Sequence, residues 1–213
     1  VVITKSSESS TLPAANVIDD QMTKVWRTGT STAAEYVSFD LGASTAATAA
    51  IIHAHTILVG DSAIIVKGST DNFSASNVTV ATFAWSAGTM LITFTSVAYR
   101  YLRIAFTKAS SGEKRDIGRI LIGTYTYIDE LPDYDGWEEA KDERSETLTT
   151  AAGQTYSELR TSGRRATARI SKMAQADKDA IWAMRDSMQT VNPWFFQVDQ
   201  SGPSDMTVLW YVK

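Results

Sequence analysis

The sequence predicts a mainly β protein, in which an N-terminal β-sandwich jelly roll is followed by a small α+β domain with one amphipathic helix. Three observations predict it. Up to about Tyr127 the chain consists of Thr, Ser, Ala, Val and Ile in short alternating runs with few charges. From Asp129 the composition turns abruptly acidic, in Asp129-Glu130-Leu131-Pro132-Asp133-Tyr134-Asp135-Gly136-Trp137-Glu138-Glu139. Beyond that point a single stretch, Asp177 to Met188, has helical periodicity. The expected domains are therefore 1–127 and 128–213.

In the first part, Tyr36 to Leu41 alternates and Ala63 to Gly68 reads as a buried strand. Tyr99 to Phe106 places Tyr99, Tyr101, Arg103 and Ala105 on one face and Arg100, Leu102, Ile104 and Phe106 on the other, the second face being the core candidate after its first residue. Turn clusters separate the strands at Gly42-Ala43-Ser44, Gly68 to Asn72 and Ser110 to Glu113, where Gly, Asn and Asp relieve backbone strain and cap free amides. Strands at such short spacing indicate a sandwich or jelly roll.

In the second part, Gln154 to Leu159 and Arg164 to Ile170 are expected to form a hairpin turned at Thr161-Ser162-Gly163. The helix places Ile181, Met184 and Met188 at i, i+3 and i+7, and Pro193 stops it. Trp194 to Asp199 and Met206 to Val212 then read as two closing strands around a Gly202-Pro203 turn.

The bulk properties remove several classes of function. With 213 residues and a hydrophobic fraction of 44% the chain can bury a real core. A net charge of -4 and a pI near 5.2 offer no long-range attraction to nucleic acid or anionic lipid. The absence of cysteine excludes thiolate catalysis, disulfides and thiolate metal sites. No apolar run approaches the roughly 20 residues of a membrane span, and the opening Val1 to Lys5 is too short for a signal sequence. The first residue is not Met, so a few upstream residues are expected. There is no phosphate-cradling glycine loop, no Gly-x-Ser-x-Gly elbow and no His-Glu-x-x-His helix. The expectation is a non-enzyme without a cofactor or resident metal, although a carboxylate pair brought together only by folding stays open.

Several side chains invite two readings. His53 and His55, the only histidines, lie at the i, i+2 spacing of a two-ligand metal corner, against which stands simple hydrogen bonding to loop backbone at the sandwich rim. Asp19 and Asp20 are either cation ligands or a capped turn. Trp26, Arg27, Trp85 and Tyr99 suit a sugar's apolar and hydroxyl surfaces, but Trp26 and Trp85 also suit the core, whereas Arg27 and Lys114-Arg115-Asp116 are expected to be exposed. The ligand-binding candidates are Trp26, Arg27, His53, His55 and Arg115. Arg160, Arg164, Arg165 and Arg169 face an acidic stretch including Glu138, Glu139, Asp142 and Glu143, either to pair neighbouring subunits or as solvated faces. Trp182, Trp194, Phe195, Phe196, Trp210 and Tyr211 make the end of the chain aromatic enough for an interface, with a plain core as the competing account. The subunit-interface candidates are Arg164, Arg165, Trp182, Trp194, Phe195 and Trp210.

The ordered pieces Ala15-Asn16-Val17-Ile18-Asp19-Asp20, Thr23-Lys24-Val25-Trp26-Arg27 and Val37-Ser38-Phe39-Asp40-Leu41-Gly42 resemble the opening of discoidin-like (coagulation factor 5/8 type C) modules. An apolar strand ending in His55, then Val66 to Asn72, then Tyr99 to Ile104 follow in the order of those modules. The resemblance implies a galactose-binding-like jelly roll over most of the first 125 residues, with Trp26 plugging one end, Asp40 and Gly42 turning the chain out of a strand, and Tyr101 with Leu102 spanning surface and core. The end-joining cysteines of the animal modules are missing. Arg164 to Ile170, Ala176 to Trp182 and Pro193 to Asp199 are similar in order to tail-tip proteins of long-tailed bacteriophages, of the distal-tail or minor-tail group. Together the two resemblances imply a structural protein of a phage tail tip or baseplate, located in the virion and assembled in the host cytoplasm. Its partners would be further copies in a homo-oligomeric ring, other tail proteins and cell-surface carbohydrate. The rival is a stand-alone carbohydrate-binding module or the accessory domain of a glycan-degrading enzyme.

Overall fold

The computed structural model describes residues 1–126 except 20 and 22, and beyond them 137–142, 146–149, 155–158, 163–188, 194–197 and 208–211. Chain packing divides the protein into two units, Val1–Tyr125 with Val191–Lys213 and Thr126–Thr190. In the first, β1 (Val2–Lys5), β2 (Trp26–Arg27), β3 (Ala34–His55), β4 (Ile65–Ser69), β5 (Val78–Thr82), β6 (Gly88–Thr107) and β7 (Asp116–Gly123) form one antiparallel system in the order β2-β7-β3-β6-β4-β5, with β1 on β3. A 3-10 turn at Ala14–Ile18 lies between β1 and β2.

The mainly β, jelly-roll expectation holds, but the strands are not all short. β3 has 22 residues and β6 has 20, and they pair along most of their length. Register shifts between Asp40 and Thr45, Ala47 and Ala49, and His53 and His55 absorb the bending that such long strands need to serve two layers. The first half of β3 lies between β1 and the second half of β6, while its second half lies between the first half of β6 and β7. Gly42 does not turn the chain out of the strand, as the sequence had implied. With φ of +81° and its N–H donating to Asp40 Oδ1 at 2.8 Å, it supplies a bulge through which β3 continues.

Alternation decides what is buried. Val37 and Phe39 from β3, Val66 from β4 and Ile104 and Phe106 from β6 meet Ala50, Ile52, Met90, Ile117 and Ile120 from the other halves, with Trp26 and Val17 in the same cluster. The predicted faces of Tyr99 to Phe106 are observed: Leu102, Ile104 and Phe106 are buried, and Tyr99, Tyr101, Arg103 and Ala105 are half-exposed. Gly68 is where β4 must lack a side chain, since a Cβ there would stand 2.3 Å from the Tyr99 ring.

In the second unit β8 (Trp137–Asp142), β9 (Glu146–Thr149), β10 (Thr155–Glu158) and β11 (Gly163–Ala168) precede helix α1 (Gln175–Met188). The two strands expected to form a hairpin with each other do not: β10 pairs with β9 and β11 with β8. β8 carries Glu138 and Glu139 opposite Thr167 and Ala166 of β11, and Lys141 opposite Arg164, so the two stretches are neighbouring strands of one chain although no register pair joins opposite charges. This gives their juxtaposition an account that needs no second subunit. The helix begins two residues before the expected Asp177, and Ile181 and Met184 are half-buried. β12 (Trp194–Gln197) and β13 (Val208–Tyr211), in the segment grouped with the first unit and not with Thr126–Thr190, close the chain as an antiparallel pair, as expected. The boundary residues around Tyr127 to Gly136, Asp20, Arg160, the Thr161-Ser162 turn, Pro193 and the Gly202-Pro203 turn lie outside the described residues.

Truncating Ile104, which is 1% exposed at the centre of this cluster, is expected to cost about 2–5 kcal/mol, measured as the shift in urea midpoint of Ile104→Ala at unchanged m-value.

Candidate functional site

At one end of the sandwich the β1–β2, β2–β3, β3–β4, β5–β6 and β6–β7 connections are held by polar anchors. The deepest is an ion pair between Glu35 and Lys108, whose side chains are both 0% exposed with Nζ and Oε1 2.7 Å apart. Most of its remaining capacity is used, Glu35 Oε1 having only the ion-pair contact itself. Glu35 Oε2 accepts from Ser6 Oγ at 2.5 Å and Ser7 Oγ at 2.6 Å, while Lys108 Nζ donates to Gly29 O at 2.7 Å and Glu113 O at 2.8 Å. One pair thereby fixes chain from the β1–β2, β2–β3 and β6–β7 connections.

A second anchor is Asp61 in the β3–β4 loop. It receives Arg115 Nε at 2.6 Å and NH2 at 2.8 Å, and its carboxylate also accepts from the N–H groups of Leu58 and Ala109, each at 3.0 Å. Arg115 pairs with Glu113 as well. Burial alone would raise the Asp61 carboxyl, but the guanidinium and the two amides outweigh it and hold the group below its ordinary value. Arg115 is correspondingly raised, chiefly by its bonds to Asp61. The expectation that Arg115 is an exposed ligand contact is corrected: it is buried, and its fork of donors is consumed in fastening two loops together.

Trp26 is corrected as a ligand contact, while the core position that the sequence also indicated for it is observed. It is fully buried, its Nε1–H donates to Ser7 O at 3.0 Å, and no ring face is left for a sugar. Arg27 is half-exposed, as expected, but bonds Asp116 through Nε and NH2, both at 2.6 Å. Asp19 is the capped turn: it accepts from the N–H of Gln21 at 2.8 Å and from Lys24 Nζ at 2.6 Å, the latter being the main reason its carboxyl is lowered.

The two histidines do not form a metal corner. Ala54 between them has a φ of +55° and sits in a register shift, which breaks the strict i, i+2 geometry. His55 Nδ1 accepts from Ile57 N–H at 3.2 Å, so Nε2 carries the proton that reaches Ser86 O at 2.9 Å. His53 Nδ1 lies 2.6 Å from Thr89 Oγ1. Hydrogen bonding at the rim is therefore what is seen, and no metal-ligating cluster of His, Asp and Glu occurs among the described residues. Burial lowers both imidazoles, with His55 adding repulsion to His53.

These bonds prepare the side chain whose exposure the sequence misjudged. Trp85, expected in the core, is 45% exposed, and its Nε1–H donates to Ile57 O at 3.0 Å. The Ile57 carbonyl holds Trp85 while the Ser86 carbonyl holds His55, so the β3–β4 and β5–β6 loops are stitched reciprocally. Leu58 and Val59, 52% and 75% exposed, follow directly along the chain. An indole with its polar edge satisfied internally, beside exposed aliphatic residues, is a fixed apolar platform. The signal for it in the sequence was the pair Trp85-Ser86 next to a Gly-containing turn, which does not distinguish rim from core.

Tyr99 is half-exposed and covers Gly68. Of the interface candidates, Trp182 is 56% exposed on α1, with the Arg185 guanidinium 4.7 Å from its ring centroid. Arg164 and Arg165 lie on β11, Trp194 and Phe195 on β12 and Trp210 on β13, where Phe195 is the register partner of Trp210. Their side chains lie outside the described residues.

Protonation of the depressed histidines favours the unfolded chain, which binds protons at the ordinary pKa near 6.5 while the folded one does not. Their stabilisation is complete above about pH 6.5 and is lost as pH falls through the lower folded values, so the thermal midpoint of the wild type should fall over that window and that of His55→Gln should fall less. Lys108→Ala leaves the Glu35 carboxylate buried without its cation and is expected to cost about 3–5 kcal/mol by denaturant unfolding.

No protein-family model and no curated protein sequence matches the chain. Solved structures do. A GH29 fucosidase from Ruminococcus gnavus in complex with fucose is 16% identical with a TM-score of 0.50 over 58% of this chain and 25% of that one. Chitosan-binding module 1 of a chitosanase/glucanase from Paenibacillus sp. IK-5 is 20% identical, TM-score 0.49, over 59% of this chain and 94% of the module. The family 32 carbohydrate-binding module of Clostridium perfringens NanJ, in complex with galactose, is 18% identical, TM-score 0.47, over 57% and 91%. Nothing in these comparisons shows a phage tail protein. What they establish is the architecture, a mainly β jelly roll of the galactose-binding-like kind found in carbohydrate-binding modules.

Proposed function

We propose that the jelly roll is a carbohydrate-binding module, standing alone or as the accessory domain of a glycan-degrading enzyme, and that its loop end holds the sugar with Trp85 as the platform. The observation that carries this reading is the exposed indole pinned by Ile57 O. Pyranose rings present a face of C–H groups that packs on an aromatic plane, and a ring already fixed loses little conformational freedom when the sugar arrives. The anchors through Asp61 and His55 set the loops on both sides of that ring.

The fold likeness supports the same class, and the match to a quarter of the fucosidase chain suits an appended module. Nothing in the fold or its neighbours favours the tail-tip role over this one. The reading needs no catalytic group. Every acid of the loop end described above is engaged with a cation or with backbone amides, which suits recognition and leaves none positioned as a free proton donor.

Glycan-array screening followed by calorimetry should find a neutral saccharide ligand whose Kd rises at least tenfold in Trp85→Ala, the loss of roughly 1.5–3 kcal/mol of aromatic burial. An empty array, or a Trp85→Ala protein that stays folded and binds as tightly as the wild type, would remove this proposal.

A further inference from the structure

The outer face of the layer formed by β3, β6, β4 and β5 carries a second constellation, separate from the loop end. Cross-strand register sets three rows on it. Tyr36, Ala105, Ile65 and Thr82 form one; Ser38, Arg103, Lys67 and Thr79 form the next; Asp40, Tyr101 and Ser69 form the third. Ala105, the small member of the first row, lies in the floor of an open groove of about 260 Å³ lined also by Tyr36, Ile65, Lys67 and Arg103.

Arg103 and Lys67 are direct partners across β6 and β4. Like charges so placed repel and destabilise a sheet. No ion pair relieves either of them among the described residues, because the nearby acids are taken. Asp40 holds Arg100 through Nε at 2.8 Å and NH2 at 2.9 Å, Asp71 accepts from the N–H groups of Ala75 and Ser76, and Glu35 is closed off by Lys108.

The guanidinium is nonetheless held in place. It lies 4.0 Å from the Tyr36 ring centroid and 3.8 Å from that of Phe73, while Nε donates to Ser38 Oγ at 2.7 Å. Phe73 reaches it with a φ of +63°, a conformation that costs a non-glycine residue of order 1–3 kcal/mol and persists only when its surroundings impose it. Here they do: Ser69 Oγ accepts from Phe73 N–H at 2.8 Å, and Asp71 caps the rest of the β4–β5 loop. The arrangement spends backbone strain to clamp a cation between two rings. It leaves the two terminal amino groups of Arg103, the parallel donors that fit a carboxylate, in the groove that its register partner Lys67 also lines.

We infer that this groove is a second binding site, specific for the carboxylate of an acidic saccharide such as a uronic-acid residue, with Arg103 and Lys67 as its ligands. An anion there cancels the like-charge repulsion that the apo sheet carries. The carboxylate is assigned from the groove alone; the saccharide to which it belongs rests on the proposed function. Burial also lowers Arg103 below its ordinary value.

The test uses the full chain, short oligogalacturonates and their fully methyl-esterified, uncharged counterparts in calorimetry. The acid form should bind, more weakly as salt is raised, and the ester should bind at least tenfold less well. Lys67→Glu should lose acid-form binding at least tenfold while raising the thermal midpoint, because it turns a repelling cross-strand pair into an attracting one. A gain in stability with a loss of binding cannot come from a damaged fold. Arg103→Gln should lose binding likewise, and Trp85→Ala should keep it. Equal binding of acid and ester, unchanged binding by Lys67→Glu, or displacement of the oligomer by equimolar sulfate would overturn the inference. If neutral glycans still bind in a Trp85-dependent manner when these acid-form results fail, only the groove is lost; if no saccharide binds at all, the proposed function falls with it.

Discussion

The loop end depends on one buried pair of charges. Glu35 and Lys108 have no access to water, and a pair in that position is tolerable only when further polar groups take up most of its protons and lone pairs. The partners are the hydroxyls of Ser6 and Ser7 and the carbonyls of Gly29 and Glu113, contributed by segments far apart in sequence. Each of those segments is consequently placed by the need to satisfy the pair. A hydrophobic replacement could match its packing energy, yet would not specify which carbonyl sits where. The pair's contribution is to the positions of loops, and through Glu113 it reaches Arg115, Asp61 and the β3–β4 turn.

The length of β3 and β6 has a second consequence. Because each bends through bulges and serves two layers, a single strand pair delivers residues to both surfaces that matter. The far half of β3 ends in His55 beside Ser86 and Trp85, while its near half supplies Tyr36 and Ser38 to the outer face. The bulges displace the histidines from strict alternation and keep Asp40 within reach of Gly42. Bending that the fold requires is thus also what aims the side chains.

Much of the fold was legible from alternation, because burial on one face imposes a period of two that a reader can count. Leu102, Ile104 and Phe106 were found that way, and the helical spacing of Ile181 and Met184 located the helix by the corresponding period of 3.6. Pairing was not legible. β10 and β11 look like a hairpin because a Gly-containing turn separates them, but β11 pairs with β8 and β10 with β9, and no turn signal encodes pairing between strands so far apart in sequence. Exposure of single aromatic and charged residues failed for a related reason. Trp26 and Trp85 each give their indole N–H to a carbonyl, Ser7 O inside and Ile57 O at the rim, and the residue type does not distinguish the two positions. Arg115 and Arg27 differ through the depth of their carboxylates. Such distinctions are properties of the assembled loops.

The two candidate surfaces prepare aromatic rings in opposite ways, and this separates the ligands they suit. At the loop end the protein satisfies the indole N–H and leaves the ring half-exposed, so the surface available is apolar and has already lost its freedom to rotate. In the groove both Tyr36 and Phe73 have a face occupied by Arg103, so what remains on offer is charge with fixed direction. A neutral pyranose gains little from the second arrangement, since its hydroxyls compete poorly with water for a cation; a carboxylate gains little from the first, since an indole face repels it. A saccharide carrying both an apolar ring face and an acid group would find the two halves of its chemistry recognised on different parts of one strand pair.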